Sequence, residues 1–279
     1  MTDISPLSSR LVVLLCHERS GSTLFCDLLA SRGDVAIAGD VWNFRAHDDS
    51  MPRSFHGYRM RRAVARPESL KPVADEIFAT LDGFFAELLA QFDAPRVVVD
   101  IKYGHLASVG GFWYSPGYGS VFLQYLKNRS IPLIHLFRRD VLAAVASGHL
   151  AMERGVWNTR DTSNIEKTSL HLNPHELSLQ LADLSHNIHV WHHFCKLLGG
   201  TNVAYEDLVE ALPAANQFFH AIEDQIGLAP SLQYKSELKK ISPDPEEYIG
   251  NFNQIHALSK PYRDIKLNNE LATNQNFLT

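Results

Sequence analysis

Residues 11–30 read LVVLLCHERSGSTLFCDLLA, and the change of pattern within them decides the fold. Leu11–Cys16 is a short, unbroken apolar run, the mark of a strand buried on both faces. His17 to Thr23 interrupts it with Gly and Ser. Apolar residues then recur at 24, 25, 28 and 29, the spacing of one helix face. The same alternation continues outward. Residues 34–38, 97–101, 131–137 and 202–205 read as strands, and residues 72–92, 141–154, 177–198 and 212–226 as helices. The predicted class is α/β, a parallel β-sheet flanked by helices on both faces.

The chain has 279 residues, which favours a single domain. Lys and Arg number 26 against 31 Asp and Glu, a formal net charge of −5. That balance excludes a bulk nucleic-acid binder, whose surface must be dominated by basic residues. An anionic ligand would need a local site. Cys16, Cys26 and Cys195 lie among apolar neighbours and read as reduced thiols of a cytoplasmic protein. No apolar run is long enough to cross a membrane, and no signal peptide is expected.

The loop after the first strand, Arg19-Ser20-Gly21-Ser22-Thr23, stands where an open α/β sheet binds its ligand. Backbone N–H groups there can converge on one anion, and the next helix adds its positive end. Arg19 supplies charge and Ser22 and Thr23 supply hydroxyls; the plainer alternative is an ordinary turn with Ser22 as helix cap. Better-known loops do not fit. No Lys stands where a Walker A motif requires one, only Gly21 is present of a GxGxxG fingerprint, and no Ser lies in a GxSxG elbow.

A second cluster follows residues 131–137: Arg138-Arg139-Asp140, with Ser147 eight positions beyond Arg139. An arginine fork and a hydroxyl suit a terminal phosphate if the helix folds back beside the strand. On spacing alone, solvated arginines and a small buried serine are the alternative.

Taken together these residues resemble the sulfotransferases that use 3′-phosphoadenylyl sulfate (PAPS), and most of all the bacterial carbohydrate types acting on nodulation factors and trehalose. Arg19 to Leu24 resembles their 5′-phosphosulfate loop, and Arg139-Asp140 with Ser147 their 3′-phosphate motif. Residues 204–208 (AYEDL) resemble their "YEDL" strand, and residues 247–255 (EYIGNFNQI) their C-terminal nucleotide-side segment. The resemblance implies a P-loop-like nucleotide-binding architecture with PAPS as cosubstrate and no metal. It implies a nucleotide site at Arg19, Ser20, Gly21, Ser22, Thr23, Arg139, Ser147, Tyr205, Asn251 and Phe252. Arg19 would neutralise the bridging oxygen as the product PAP departs. The implied acceptor is a small-molecule or glycan hydroxyl, with oligomeric state open, a homodimer included.

A base must take the acceptor's proton. Asp40, in Gly39-Asp40, stands where carbohydrate members carry a "GE" pair; Lys102 and His105 follow the strand at 97–101 somewhat as a Lys-x-His pair does in cytosolic members. Asp40 is favoured over His105. A phosphotransferase using ATP and Mg²⁺, or a nucleotide-binding module without a working base, are the alternatives.

Four features stand outside that reading. The polar stretch 155–174 suggests a lid, and residues 110–119 (GGFWYSPGYG) a packed turn or an aromatic lip. His189 and His193 share a helix face but lack a third metal ligand, so packing is the simpler reading. Arg53, Arg59, Arg61, Arg62 and Arg66 read as a solvated face, with an anionic acceptor or headgroup as the sharper alternative.

Overall fold

The computed structural model describes residues 7–43, 54–71, 73–108, 114–115, 119–157, 168–212, 215–231, 234–236, 238 and 243–267. Along the chain run β1 (Leu11–Cys16), α1 (Ser22–Ala30), β2 (Val35–Gly39), α2 (Phe55–Ala65), α3 (Ala74–Leu89), β3 (Arg96–Lys102) and α4 (Tyr103–Ser108). A two-residue pair, β4 (Tyr114–Ser115) and β5 (Gly119–Ser120), precedes α5 (Val121–Asn128), β6 (Leu133–Phe137), α6 (Val141–Arg154) and α7 (Pro174–Leu197). Then come β7 (Thr201–Ala204), α8 (Tyr205–Ala211), α9 (Ala215–Gln225), α10 (Pro245–Tyr248) and α11 (Phe252–Ser259).

Five strands form one sheet in the order β2-β3-β1-β6-β7, every adjacent pair parallel. β1 is central, and its six residues are all 0% exposed. Strand side chains alternate between faces, so one strand feeds two cores. Leu11, Val13 and Leu15 pack with Phe84 and Phe85 of α3, Phe122 of α5 and Trp191 of α7. Val12, Leu14 and Cys16 pack with Phe25 and Leu29 of α1 and with Phe219 and Ile222 of α9. A third cluster joins α6, α7, α10 and α11 beyond the end of β6. The parallel α/β class with helices on both faces is thus observed directly.

The strand order also places the site. From β1 the chain moves to one side for β2 and β3, and to the other for β6 and β7. The reversal leaves a crevice outside the carboxyl ends of β1 and β6. Residues 17–21 and 138–140 lie there.

Several elements differ from expectation, each for a local reason. α7 starts at Pro174 because Asn173 caps it, its side chain accepting from the N–H groups of His175 and Glu176, with Pro in the first turn. β7 ends at Ala204, and Tyr205 opens α8 rather than closing a strand. The arginine-rich stretch is partly helical: Ser54 caps α2. Arg61 pairs with Glu87, and Arg66 with Glu68 and Glu76, at 2.6–2.8 Å, all partly exposed. Arg53, residues 158–167 and most of residues 110–119 lie outside the described residues. Cys16, Cys26 and Cys195 are free and buried. Among the described residues no helix is long and apolar enough to cross a membrane.

Candidate active site

The loop leaving β1 is held in an unusual backbone path. Arg19 has φ 64° and Gly21 φ 90°. The left-handed region is open to Gly but costs a side-chain-bearing residue of order 1–2 kcal/mol, so surrounding contacts must hold Arg19 there. His17 provides one. Its ring is buried; Nδ1–H donates to the Glu18 carbonyl at 2.7 Å, and Nε2 accepts the Arg138 backbone N–H at 3.2 Å. The imidazole therefore ties the end of β1 to the end of β6. Burial, helped by the cationic Lys102 and Arg138, lowers its pKa to about 4 and keeps it neutral.

A charged floor lies under the loop. On β3, Val98, Asp100 and Lys102 fall on the face toward α1. Lys102 Nζ donates to Asp100 at 2.6 Å and to Ser22 Oγ at 2.6 Å, and lies 3.1 Å from Cys16 Sγ. Burial opposes the ammonium charge, but the Asp100 carboxylate more than offsets it and raises the Lys102 pKa. Burial, then Asp100, pushes the Cys16 thiol up to about 12, so it stays protonated. Lys102 thus braces Ser22 at the start of α1 and is committed to Asp100. Thr23 is exposed in the first turn of α1.

Across the crevice, the serine and arginine of the second cluster separate. Ser147, buried on α6, accepts from Arg19 Nε at 3.0 Å, and Arg19 Nη1 donates to the Trp157 carbonyl at 2.5 Å. Arg139 turns away, with Nη2 2.7 Å from Asp207 and Nε 3.6 Å from Asp264. Arg139 and Ser147, expected to converge on one phosphate, make no described contact with each other; Arg139 is engaged by Asp207 and Asp264. Neighbouring residues at a strand end project to opposite sides, and Arg138 is the one facing the loop. Its guanidinium sits 5.0 Å from the Tyr205 ring centroid, and its charge, after burial, lowers the Arg19 pKa.

The AYEDL segment explains this arrangement residue by residue. The Glu206 carboxylate accepts the N–H groups of Arg139 and Asp140 at 3.0 and 3.1 Å, Asp207 takes the Arg139 side chain, and Leu208 is buried in the second core. Tyr205 packs against Gly21, where a Cβ would come within 2.2 Å of its ring. Close backbone approach at Gly21 thus serves a protein ring. Gly21→Ala combines that clash with left-handed strain and is expected to destabilise the fold by about 2–4 kcal/mol, seen as a lowered urea midpoint. A midpoint equal to wild type would mean that Tyr205 does not pack there.

The two candidate bases meet. His105, on α4 after β3, has its Nδ1 3.0 Å from Asp40 Oδ1, after β2. Gly39 at φ 79° turns the chain so that Asp40 reaches it. An Nδ1–H donated to the carboxylate leaves the acceptor lone pair on Nε2.

Asn251 is already engaged: its amide bonds the Leu172 carbonyl at 2.7 Å and the Leu172 N–H at 3.0 Å, clamping two segments. Phe252 is half-buried against the third core, 5.7 Å from the His256 ring. Neither meets the arginines in a described contact. Within the same segment it is the Tyr248 hydroxyl that feels the charges of Arg138, Arg154 and Arg19. His189 Nδ1–H donates to the Ser185 carbonyl at 2.7 Å, with Nε2 3.3 Å from the Lys266 carbonyl. Among the described residues, no group of three or more His, Cys, Asp or Glu is placed to hold a metal ion.

Three buried polar atoms in this region have no hydrogen-bond partner among the described residues: Ser20 Oγ, Arg138 Nε and the Tyr248 hydroxyl. Buried donors without a hydrogen bond are costly; Ser20 belongs to the loop itself, Arg138 Nε has only a 3.9 Å ion pair with Glu206, and the Tyr248 hydroxyl feels the charges of Arg138 and Arg19. An anion placed there would satisfy them. The residues present fit a phosphate-bearing ligand.

No protein-family model matches the chain, and no curated protein matches it. Among solved structures, the sulfotransferase domain from the Synechococcus PCC 7002 olefin synthase is similar at 16% identity and a TM-score of 0.40, covering 95% of this chain and 91% of that one. A likeness that distant carries no functional weight beside the geometry.

Proposed function

We propose that this chain transfers a sulfuryl group from PAPS to an acceptor hydroxyl, with a carbohydrate or glycolipid as the acceptor class. The observation that carries the reading is the convergence of Arg19, Arg138, Ser20 and Ser147 outside β1 and β6, with buried donors unpaired and no Walker lysine in the loop. The motif resemblance supplies the nucleotide; the geometry supports an anion site.

PAPS would bring an activated sulfuryl group on a phosphate leaving group. Arg138, with Ser147 nearby, would hold the 3′-phosphate; Arg19 and the N–H groups at the start of α1 would face the 5′-phosphosulfate. A sulfuryl group carries less charge than a phosphoryl group, so guanidinium and N–H donors can stabilise its transfer. His105 Nε2 would take the acceptor proton, with Asp40 fixing the imidazole's tautomer and stabilising its protonated form. This assigns both candidates to one device, with the histidine as proton acceptor and the aspartate as its orienting partner. The buried thiols support a reducing, cytoplasmic setting.

Calorimetry with PAP, ADP and ATP, with and without Mg²⁺, tests the nucleotide. Mg²⁺-independent PAP binding at least tenfold tighter than ATP binding is expected; equal binding would favour an ATP-dependent phosphotransferase. Transfer from labelled PAPS to a panel of glycans, lipids and phenols then identifies the acceptor. His105→Ala should lower turnover by about 10²–10⁴-fold, the usual contribution of a positioned base, with PAP affinity unchanged. Asp40→Asn should lower it less. Full turnover in His105→Ala would return the base to Asp40, and no turnover by wild type on any acceptor would favour a binding module.

A further inference from the structure

Tyr248 is the last residue of α10, and its backbone is tightly fixed. Asp244 and Glu247 form a capping box at the start of that short helix. The Tyr248 carbonyl accepts the Leu170 N–H at 2.7 Å, and Gly250 N–H donates to the Leu170 carbonyl at 2.8 Å. The ring packs in the third core with Val141, Leu142 and Ala146. The side chain is 5% exposed, and its hydroxyl is fully buried without a partner among the described residues.

The charges acting on that hydroxyl are Arg138, Asp140, Arg154 and Arg19. Three are guanidinium groups, which have donors and no acceptor. The fourth is already engaged: Asp140 accepts from the Ala143 N–H at 2.8 Å and from Arg263 Nε at 3.0 Å. Burial pushes the phenol up to about 12, so it keeps its proton. This buried donor feels the charges of three guanidinium groups and one engaged carboxylate and bonds no acceptor among the described residues; the acceptor that suits this place is an anion. Packing alone would be served as well by phenylalanine.

We propose that the Tyr248 hydroxyl donates a hydrogen bond to the phosphate group bound by Arg138, and so helps separate a 3′-phosphorylated nucleotide from one without that group. The assignment to the 3′-phosphate rests on the nucleotide reading above; the anion contact itself does not.

Tyr248→Phe removes one oxygen and leaves the ring. Two measurements apply to it: thermal unfolding without ligand, and calorimetric titration with PAP, 5′-AMP and inorganic phosphate. The expected result pairs opposite effects. The ligand-free melting temperature equals or exceeds that of wild type, because an unpaired buried hydroxyl is removed, while PAP affinity falls about tenfold. Affinity for 5′-AMP, which lacks the 3′-phosphate, stays unchanged. PAP affinity within twofold of wild type, a melting temperature lowered by several degrees, or equal weakening of PAP and 5′-AMP would each overturn the proposal. Inorganic phosphate separates its failure from that of the nucleotide reading. If wild type binds phosphate through Tyr248 but not PAP, the nucleotide reading falls and the anion contact stands. If wild type binds PAP and the Phe variant binds it equally well, the contact falls and the nucleotide reading stands. If wild type binds neither ligand, both fall.

Discussion

On the proposed function, Arg138→Ala is expected to weaken PAP binding by at least 100-fold, and Arg139→Ala to leave it within about threefold. A charge-assisted hydrogen bond to a buried ionised group contributes about 1.5–3 kcal/mol, and a guanidinium can make two such bonds to one phosphate. Losing about 2.7 kcal/mol is 100-fold in affinity. Arg138 Nε makes no hydrogen bond among the described residues and lies 3.9 Å from Glu206 Oε1, a loose ion pair; the guanidinium lies over the Tyr205 ring and its charge reaches Arg19, so an anion placed there meets both cations. Arg139 instead spans Asp207 and Asp264, both about half exposed. Exposed pairs of that kind contribute about 0–1 kcal/mol, so its removal should cost little stability and little binding. Calorimetric titration of both variants decides the matter, with circular dichroism confirming that each is folded. The reverse pattern would restore Arg139 to the role its motif position implies.

Stability should fall steeply between pH 6.5 and pH 4. His17 and His135 are buried and neutral, with pKa values lowered to about 4 and about 3, chiefly by desolvation. Both rings depend on the neutral form. His17 Nε2 accepts the Arg138 N–H; His135 donates Nδ1–H to Asn202 Oδ1 at 2.7 Å and accepts from the Tyr103 hydroxyl at Nε2. Their folded pKa values lie below the unfolded value near ~6.5. Below that pH the unfolded chain therefore binds protons that the folded chain refuses. The stabilisation is complete above pH 6.5 and is lost as pH falls through the folded values. Each histidine contributes a slope of about 1.4 kcal/mol per pH unit, so the pair removes roughly 4 kcal/mol by pH 5. That is a large share of the ~5–15 kcal/mol typical of a domain. His192, half-buried and lowered to about 4 chiefly by burial, acts in the same direction. Urea midpoints at pH 7.5, 6 and 5 measure the slope, and replacing His135 should roughly halve it. A flat profile down to pH 5 would show that these rings are solvated.

Local chemistry was legible in the sequence; pairing at a distance was not. LVVLLC announces a doubly buried strand because no polar residue interrupts it, and α6 is readable because Asp140 caps an apolar helix. The order β2-β3-β1-β6-β7 depends on contacts between segments far apart in the chain, which no window contains. The same holds for Asp40 and His105, read as rivals although 65 residues of chain bring them into one hydrogen bond. Arg138 and Arg139 differ only in the side to which each projects, which a motif spacing does not encode. α2 is not legible in the sequence because its exposed face mixes Met60 and Val64 with arginines, blurring the periodicity.

The central position of β1 divides the site into halves of unequal rigidity. The loop of residues 17–21 is anchored to a strand with paired neighbours on both sides and no exposed residue. The amides of β1 should exchange with solvent only on global unfolding. Asp40 follows β2, the edge strand, where four of five residues are only partly buried. Local opening there needs far less free energy than opening at the centre. On the proposed function, substitutions that reshape the surroundings of Asp40 would therefore accumulate without disturbing the loop after β1, which would make acceptor choice the evolvable part of this fold and cosubstrate choice the conservative part.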